Sequence, residues 1–386
     1  MPATYEFIHL GHVVSGSGLS RVPPSGVVPD GPVLAVVDPG LLDLGIVQPV
    51  LQGWRDAGLM VDVFSALESD PKGHQVDQAR AAAHACGATT VLTVGGGSAL
   101  DVGKTAAALL MSDDPAVAFG VGRQAYPGRT VALVAIPTTA GTGAEVTRTT
   151  IFSDDDGNKL WANDNTQRPD AAVLDPDLTA ALPPGLTAAT GLDALVHAIE
   201  ACTNQRAHAM ADAWALHAIR LVVQALPTAV RDPTDLQARS TLLNAACLAG
   251  LAIDACGTAV AHAMGHALGS IARVHHGRAV ALSLRVALAG NAAASPARHA
   301  AVARAMGLIG DDDPQVAAGL SSRFDAFLRQ VGLPITLADD GLGPDDAERL
   351  AVASQRPENQ PMLDVNCRVI EPAGVLELSR AVLVAD

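Results

Sequence analysis

The chain of 386 residues carries 40 acidic and 25 basic side chains, which gives a formal net charge of −15. This length favours two domains, each large enough to bury an apolar core. The negative charge repels phosphate backbones and anionic membrane surfaces, so nucleic acid and membrane are excluded as favoured partners. The five cysteines form no C-x-x-C pair and suggest no disulfide framework. We therefore expect reduced and mostly buried thiols.

The sequence predicts neither an N-terminal signal peptide nor a membrane-spanning helix. Met1–Leu19 lacks a basic region followed by a continuous apolar run, so no signal peptide is expected and a cytoplasmic location is the default. The most apolar later stretch, Leu242–Ile253, is interrupted by Asn244 and ended by Asp254. It is well short of the roughly 20 residues that a membrane span needs. We predict a buried helix there.

The first half of the chain shows alternating strand and helix patterns. Val33–Val37 is a β-branched run, a helical pattern follows near Gln48–Ala57, and Val61–Phe64 is strand-like again. This alternation is typical of βαβ units and a parallel sheet. In the second half the strand-like runs stop and long Ala/Leu-rich helical patterns continue. We predict an α/β dinucleotide-binding domain with a parallel sheet at 1–184, followed by an all-α metal-binding domain at 185–386.

Two apolar strands each run directly into a polar turn. Val91–Val94 leads into the glycine-rich Gly95–Ser98, and Val131–Ile136 leads into Pro137–Glu145, which is rich in threonine and glycine. A glycine turn before a helix exposes amides that can bind a pyrophosphate, and the hydroxyls suit phosphate and ribose contacts. A single glycine-rich turn is better explained by a purely structural loop. Two such turns at one sheet edge favour a dinucleotide.

Asp38 ends the first predicted strand of this sheet. There its carboxylate would accept a hydrogen bond from a ribose 2′-hydroxyl and repel a 2′-phosphate, which favours NAD over NADP. The alternative is an aspartate that caps a helix or turn. The G-x-G-x-x-G pattern is missing after this strand, so the sequence has no plain Rossmann fingerprint.

The second half contains histidines at metal-ligand spacing. Asp193 and His197 are four residues apart and share one helix face, His262 and His266 repeat that spacing, and His276 follows ten residues later. The alternative is a set of buried hydrogen bonds. Burying such groups without partners costs about 1 to 3 kcal/mol each, which favours a metal. Three imidazoles and one carboxylate suit Fe²⁺ or Zn²⁺, while the absent glutamate of H-E-x-x-H disfavours a zinc protease.

With these residues in place, the chain resembles the iron-containing alcohol dehydrogenases, relatives of glycerol dehydrogenase and dehydroquinate synthase. The resemblance covers nearly the whole chain. It rests on the stretches Gly95–Lys104, Pro137–Thr147, Pro169–Pro176, Leu182–Glu200 and His262–Gly277.

The resemblance implies a metal-dependent, NAD-linked alcohol dehydrogenase or aldehyde reductase. It implies metal binding by Asp193, His197, His262 and His276, with Fe²⁺ as the expected ion and Zn²⁺ as the alternative. His266 would lie near the nicotinamide, where it either relays a proton or packs as a structural histidine. It also implies a homodimer or larger assembly, and NAD contacts from Asp38, Gly96, Gly97, Ser98, Asp101, Thr138, Thr139, Thr142, Lys159 and Leu178.

Near the presumed pocket the chain departs from this family. Ile253, His275 and Val280 stand where an aromatic residue, a proline and an asparagine are common. Arg273, His275 and Arg278 crowd the last metal ligand of an otherwise acidic chain. One hypothesis is an aldehyde that carries a carboxylate, phosphonate or sulfonate, and the alternative is that the arginines are merely solvent-exposed.

Two other functions are compatible with the same features. A dehydroquinate-synthase-like lyase would use NAD transiently with a metal, but the basic residues that phosphate-rich substrates require are scarce. A non-catalytic NAD or metal sensor would need an effector or DNA-binding module, and the sequence shows none. A small alcohol or aldehyde is therefore the expected partner.

Overall fold

The computed structural model of the chain describes residues 11–384. The prediction that Met1–Leu19 holds no signal peptide therefore falls partly outside the described residues. The described residues divide into two compact units, one ending at Ala181 and the other beginning at Leu182.

Within residues 11–181 the main feature is a six-stranded sheet in which all neighbouring strands are parallel. The predicted α/β architecture with a parallel sheet is confirmed. Its strands are β1 His12–Ser15, β2 Pro32–Val37, β3 Met60–Phe64, β4 Thr90–Gly95, β5 Ala132–Pro137 and β8 Ala171–Leu174. The helices of this unit are α1 Pro39–Asp43, α2 Gln48–Asp56, α3 Gly73–Cys86 and α4 Gly97–Ala108.

The sheet is buried on both faces, which explains its continuous apolar strands. In β2, Val33, Ala35 and Val37 pack into one core cluster, while Leu34 and Val36 pack into another. Successive side chains of a strand point to opposite faces, so each cluster takes alternate residues. β-branched and small side chains fill both layers.

The strand order creates a crevice at one edge of this sheet. The order is β1-β8-β5-β4-β2-β3, so the chain leaves β2 for β3 on one side and returns to β4 on the other. Ligands of open α/β sheets bind at such a switch point, beyond the carboxyl ends of the strands. The segments that follow β2 and β4 are therefore placed to contact a ligand.

A short antiparallel hairpin accompanies this sheet and was not predicted. It consists of β6 Thr149–Ser153 and β7 Lys159–Asn163. The connecting turn includes Asp154, whose carboxylate accepts hydrogen bonds from the backbone and side-chain nitrogens of Asn158.

Within residues 182–384 all regular elements are helices, which confirms the predicted all-α domain. α5 begins behind Pro183 with Pro184 in its first turn, a position that proline favours. α5 packs against α6, α7 and α9, and α8 packs against α9. The helices are α5 Pro184–Thr203, α6 Ala209–Arg231, α7 Leu236–Cys256, α8 Val260–Ala272, α9 His276–Ala294, α10 Pro296–Ala305, α11 Asp313–Ala318, α12 Leu320–Gln330, α13 Ala347–Ser354, α14 Gln360–Asp364 and α15 Pro372–Val384.

Among the described residues, α6 and α7 are long and apolar enough to cross a membrane by length and composition alone. Core helices of globular proteins meet the same criterion. The two helices pack against each other and against α5, and about half of each apolar window is buried, 44% and 56% respectively. The predicted buried helix at Leu242–Ile253 lies within α7.

Candidate active site

The segments after β2 and β4 meet at the switch point of the sheet. The backbone N–H of Asp38 donates to the Val94 carbonyl over 3.1 Å, so the two strand ends lie side by side. The Asp38 carboxylate accepts from the amides of Gly40 and Leu41 at the start of α1. It thus serves as the helix cap that was the alternative for this residue, and both bonds use the same oxygen, Oδ1.

The two predicted coenzyme turns are in contact with each other. A Cβ atom added at Gly97 would lie 2.8 Å from Cγ2 of Thr142, and one added at Gly96 would lie 3.6 Å from Cγ2 of Thr139. Only a glycine lets the threonine turn approach the first residue of α4 this closely. The amides at the start of α4 and the threonine hydroxyls consequently share one sheet edge, as a dinucleotide phosphate requires.

The remaining predicted coenzyme residues are spread around this edge. The Ser98 hydroxyl donates to the Ser69 carbonyl, and Lys159 forms an ion pair with Asp70. The Asp101 carboxylate accepts from the Ile151 amide. The turn residue Thr138 is buried, and Leu178 packs in the core cluster next to the ends of β2, β4 and β5.

The sequence prediction did not include a role for Lys104, which is fully buried on α4. Its Nζ donates to the carbonyls of Ala144 and Thr149, both at 2.8 Å, and to the Thr147 hydroxyl at 3.2 Å. These acceptors belong to the threonine turn and the strand that follows it. Lys104 therefore ties this turn to the helix whose amides face the same edge.

In the helical unit, the structure brings the four predicted metal ligands together. Asp193 and His197 lie one turn apart on α5, His262 lies in the first turn of α8, and His276 begins α9. One ligand atom from each lies within 4.8 Å of all the others. The three Nε2 atoms lie 3.8, 3.7 and 3.5 Å from Oδ1 of Asp193, for His197, His262 and His276 respectively.

A close approach of two helices makes this convergence possible. Gly277 follows His276 at the start of α9 and lies against α5. A Cβ atom at Gly277 would collide with the Ala189 carbonyl and lie 3.2 Å from Cβ of Asp193. The absence of a side chain at Gly277 lets α9 deliver His276 to the carboxylate on α5.

The electrostatics of the cluster favour a charged carboxylate. Burial would raise the pKa of Asp193, but the imidazoles of His197, His276 and His262 outweigh it and hold the pKa well below its usual range. Burial would lower the pKa of His262, but the carboxylates of Glu200 and Asp193 outweigh it and raise the pKa to about 9. A metal ion that binds here would take the place of the second proton of the His262 imidazole.

The cluster fits a divalent metal by two observations. Among the described residues, Oδ1 of Asp193 and Nε2 of His262 are buried and have no hydrogen-bond partner. Each unpaired buried polar atom costs about 1 to 3 kcal/mol, so a ligand that both atoms share would remove a real penalty. Four ligands at the usual bond lengths of a tetrahedral metal lie about 3.4 Å from one another, close to the spacing seen here.

His266 lies beside this cluster and outside it. Its ring centroid is 5.3 Å from that of His276 and 6.3 Å from that of His262. The side chain is partly exposed, one turn beyond His262 on α8. This place suits a group that exchanges protons with a substrate bound at the cluster.

The structure corrects the proposal that Arg278 faces an acidic substrate. Its Nη1 binds both carboxylate oxygens of Asp340, at 2.8 and 3.0 Å, and its other nitrogens donate to the carbonyls of Pro334 and Thr336. These bonds fix the start of α9 to a loop that lies 56 to 62 residues away in sequence. Arg273 differs: it is exposed and ends α8 with φ 53, a backbone conformation rare for a residue with a side chain.

Comparison with known families covers both units. A family model described as iron-containing alcohol dehydrogenase matches residues 14–176, and one described as the C-terminal part of the Fe-containing alcohol dehydrogenase family matches residues 187–383. The chain belongs to the iron-containing alcohol dehydrogenase family. The predicted resemblance and the predicted oxidoreductase class are confirmed, and the comparisons do not support the lyase alternative.

Individual relatives of this iron-containing dehydrogenase match over nearly its whole length. Long-chain-alcohol dehydrogenase 1 of Geobacillus thermodenitrificans is 32% identical over 381 residues, which cover 96% of each chain. A solved 1,3-propanediol oxidoreductase is 28% identical with a TM-score of 0.93, covering 98% of this chain and 100% of the other. A solved sulfoacetaldehyde reductase from Bifidobacterium kashiwanohense in complex with NAD⁺ is 27% identical with a TM-score of 0.89, covering 100% of both.

The sequence prediction for this dehydrogenase also did not include Glu200 as a site residue. Glu200 is 2% exposed on α5 and hydrogen-bonds Nδ1 of His262 over 2.6 Å. A signal for it was present, because an acidic residue three positions after His197 in an apolar helix needs a buried partner. The partner was not identifiable, since it lies 62 residues away.

Proposed function

We propose that this dehydrogenase interconverts a small alcohol and its aldehyde with NAD(H) and one divalent metal, Fe²⁺ being the expected ion. The observation that carries the proposal is the buried cluster of one carboxylate and three imidazoles around Oδ1 of Asp193. Family membership and the NAD⁺ complex of a relative support the cofactors. A bound divalent ion supplies Lewis acidity that polarises a carbonyl and lowers the pKa of an alcohol, and the nicotinamide supplies or accepts the hydride.

The chain's own residues bind the metal ion and exchange the proton. Asp193, His197, His262 and His276 would hold the ion. His266, partly exposed beside the cluster, exchanges the proton that the substrate oxygen loses on oxidation or gains on reduction. Histidine is the side chain that most often performs such proton transfer.

Coenzyme binding is assigned to the switch point of the sheet. The amides at the start of α4, beginning at Gly97, bind the pyrophosphate, and the adjoining hydroxyls of Thr138, Thr139 and Thr142 contact phosphate and ribose. Asp38 borders this edge and repels a 2′-phosphate, which favours NAD over NADP. Its cap bonds to α1 hold the carboxylate in place for this purpose.

Among small aldehydes, the substrate that we propose carries an acidic group. Support comes from the exposed, cationic Arg273 three residues before the ligand His276, and from a relative that is a sulfoacetaldehyde reductase. Arg278 gives no support, because Asp340 and two carbonyls already bind it.

The test is NADH oxidation by protein loaded with Fe²⁺ or Zn²⁺, using paired neutral and acidic aldehydes. Asp193→Ala and His276→Ala should each lower kcat/KM at least about 1,000-fold, equivalent to about 4 kcal/mol of transition-state stabilisation. His217→Ala is the matched control, because His217 is an exposed histidine of the same helical unit. Equal rates in the wild type and both ligand variants would contradict the metal role. Equal kcat/KM for each neutral and acidic pair would contradict the acidic substrate.

We also propose a cytoplasmic location and a homodimer or larger homo-oligomer. All five cysteines are free thiols in the structure, which suits a reducing compartment. The oligomer is supported by the family resemblance alone. Light scattering during size-exclusion chromatography would contradict it if the mass were that of a 39.3 kDa monomer.

A further inference from the structure

The Glu200 carboxylate makes three short hydrogen bonds to one segment. Oε2 accepts from the Ala259 amide at 2.8 Å and lies 2.6 Å from Nδ1 of His262, and Oε1 accepts from the Ala261 amide at 2.7 Å. The carboxylate is 2% exposed. All three partners belong to the beginning of α8, so a single side chain of α5 organises the entry of another helix.

These bonds determine which nitrogen of His262 is free. An ionised carboxylate only accepts hydrogen bonds, so the nitrogen facing Glu200 has to carry a hydrogen. Nδ1 of His262 is that nitrogen, and Nε2 on the other side of the ring lies 3.7 Å from Oδ1 of Asp193 with no hydrogen-bond partner. Metal binding requires the imidazole to give up one proton, and with Nδ1–H bonded to Glu200 that proton leaves from Nε2. The lone pair of Nε2 in this tautomer points away from Glu200, on the side of the cluster.

The same carboxylate also acts as a helix cap. The first amides of any α-helix lack partners within the helix, and a capping side chain normally satisfies some of them. Ala259 stands at the cap position of α8 and has no side chain that can do so. Glu200 supplies the missing acceptors from α5, and its bonds to the amides of Ala259 and Ala261 fix the backbone just before His262.

We propose that Glu200 is a positioning residue that holds His262 as the Nδ1–H tautomer and so prepares Nε2 to bind the metal. This inference rests on the metal site of the proposed function. Glu200 contacts neither substrate nor coenzyme in this role. It acts through the orientation, tautomer and basicity of one ligand, which is the usual effect of a carboxylate behind a metal-binding histidine.

Glu200→Gln is the decisive variant because it keeps the size of the side chain. Its amide nitrogen is a donor, so an inverted arrangement becomes available in which Nδ1 accepts from the amide and Nε2 carries the hydrogen. A protonated Nε2 cannot bind a metal. The variant should therefore bind Zn²⁺ and Co²⁺ about 10- to 100-fold more weakly than the wild type, as measured by chelator competition on the metal-free full-length protein.

Asn204→Ala is the matched control. Asn204 lies one turn after Glu200, and its side chain donates to the carbonyls of Cys256 and Gly257, in the turn that precedes α8. Its removal loosens the same segment without touching His262. We expect a lowered melting temperature and an unchanged Zn²⁺ affinity per folded molecule.

The outcomes separate the two proposals. A wild type that binds neither Zn²⁺ nor Co²⁺ overturns the proposed metal-dependent function. A wild type that binds Zn²⁺ with the same affinity as Glu200→Gln overturns the role of Glu200 alone, as does an equal loss of affinity in Asn204→Ala.

A second measurement covers the case in which Glu200→Gln does not fold. Zn²⁺-loaded wild type labelled with ¹⁵N-histidine should show an exchange-protected, downfield Nδ1–H signal for His262. Metal coordination through Nδ1, or a rapidly exchanging Nδ1 proton, would overturn the proposal.

Discussion

The sheet edge of the first unit and the helical cluster of the second are built to bind ligands by different means. At the sheet edge the binding groups are backbone amides and short hydroxyls, brought together by the contact of Gly97 with Thr142. In the helical unit they are four long side chains that converge on Oδ1 of Asp193. The first arrangement depends on the path of the backbone, and the second on the spacing of the helices.

The two regions also bury charge for different reasons. In the helical cluster, Asp193 and His262 are buried and unpaired at the atoms that a metal would bind. At the sheet edge the fully buried charge is Lys104, which donates to two carbonyls and a hydroxyl of the threonine turn and of the start of β6. Variants of the cluster should therefore affect the metal and not NADH, and variants behind the sheet edge should do the reverse.

The largest expected effect is that of Gly277→Ala. The added methyl group would collide with the Ala189 carbonyl, so α9 would have to move away from α5 and carry His276 with it. Overpacking that forces the backbone to shift typically costs about 1 to 3 kcal/mol. We expect a loss of about that size in urea unfolding of the metal-free protein, together with weaker Zn²⁺ binding.

Gly185→Ala is the control for this prediction. Gly185 lies in the first turn of α5, and no atom lies within 4 Å of a Cβ built there. Alanine favours the helix by up to about 1 kcal/mol over glycine, so this variant should be neutral or more stable. If Gly277→Ala binds Zn²⁺ as tightly as Gly185→Ala, the close approach of α9 is not what assembles the cluster.

The features that could be predicted from the sequence are those with a local signal. The continuous apolar run Val33–Val37 and the four-residue spacing of Asp193 and His197 are local signals, so the parallel sheet and one pair of ligands were predictable. The full set of four ligands was implied by the family resemblance. The hairpin of β6 and β7, by contrast, was missed. Its strands are short and follow an irregular turn that carries no periodic signal.

The supporting side chains could not be predicted, because their partners are fixed only by tertiary packing. Glu200 reaches His262 across 62 positions, and Lys104 reaches Thr149 across 45. The bonds of Arg278 to Asp340 across 62 positions removed it from the predicted substrate contacts. Each of these residues is recognisable in sequence as a charge within an apolar helix, but its role depends on which backbone it meets.

Lys104→Met sharpens the contrast between the two regions. Methionine keeps the length of the side chain and removes its three hydrogen bonds to the threonine turn, so the turn should lose its fixed position against α4. We expect NADH to bind about 10-fold more weakly, a loss of about 1.4 kcal/mol, measured by fluorescence titration. Zn²⁺ affinity should stay unchanged, and a loss of Zn²⁺ binding equal to the loss of NADH binding would show that the variant only unfolds the protein.

The smallest expected effect is a pH dependence that belongs to the sheet unit alone. Glu145 is 2% exposed in the threonine turn, and burial raises its pKa from the ordinary 4.5 to about 7. The folded state therefore binds a proton more tightly than the unfolded state does. Between about pH 4.5 and 7 the free energy of unfolding should fall as pH rises. In this range Glu145 loses its proton in the unfolded state but keeps it in the folded state. Below this range Glu145 is protonated in both states and its burial costs no stability through ionisation. Above it Glu145 is ionised in both states, and the full cost of burying its charge is reached.

Glu145→Gln cannot ionise and should lack this contribution. We expect its free energy of unfolding, relative to that of the wild type, to rise by an amount on the order of 1 kcal/mol between pH 5 and 7. Urea unfolding at several pH values would measure the difference. Parallel profiles for the two proteins would mean that Glu145 is not held in a protonation state different from that of the unfolded chain. In that case Glu145 would be ionised at neutral pH in the folded state as well, and the region of the threonine turn would bury a carboxylate in addition to the Lys104 cation.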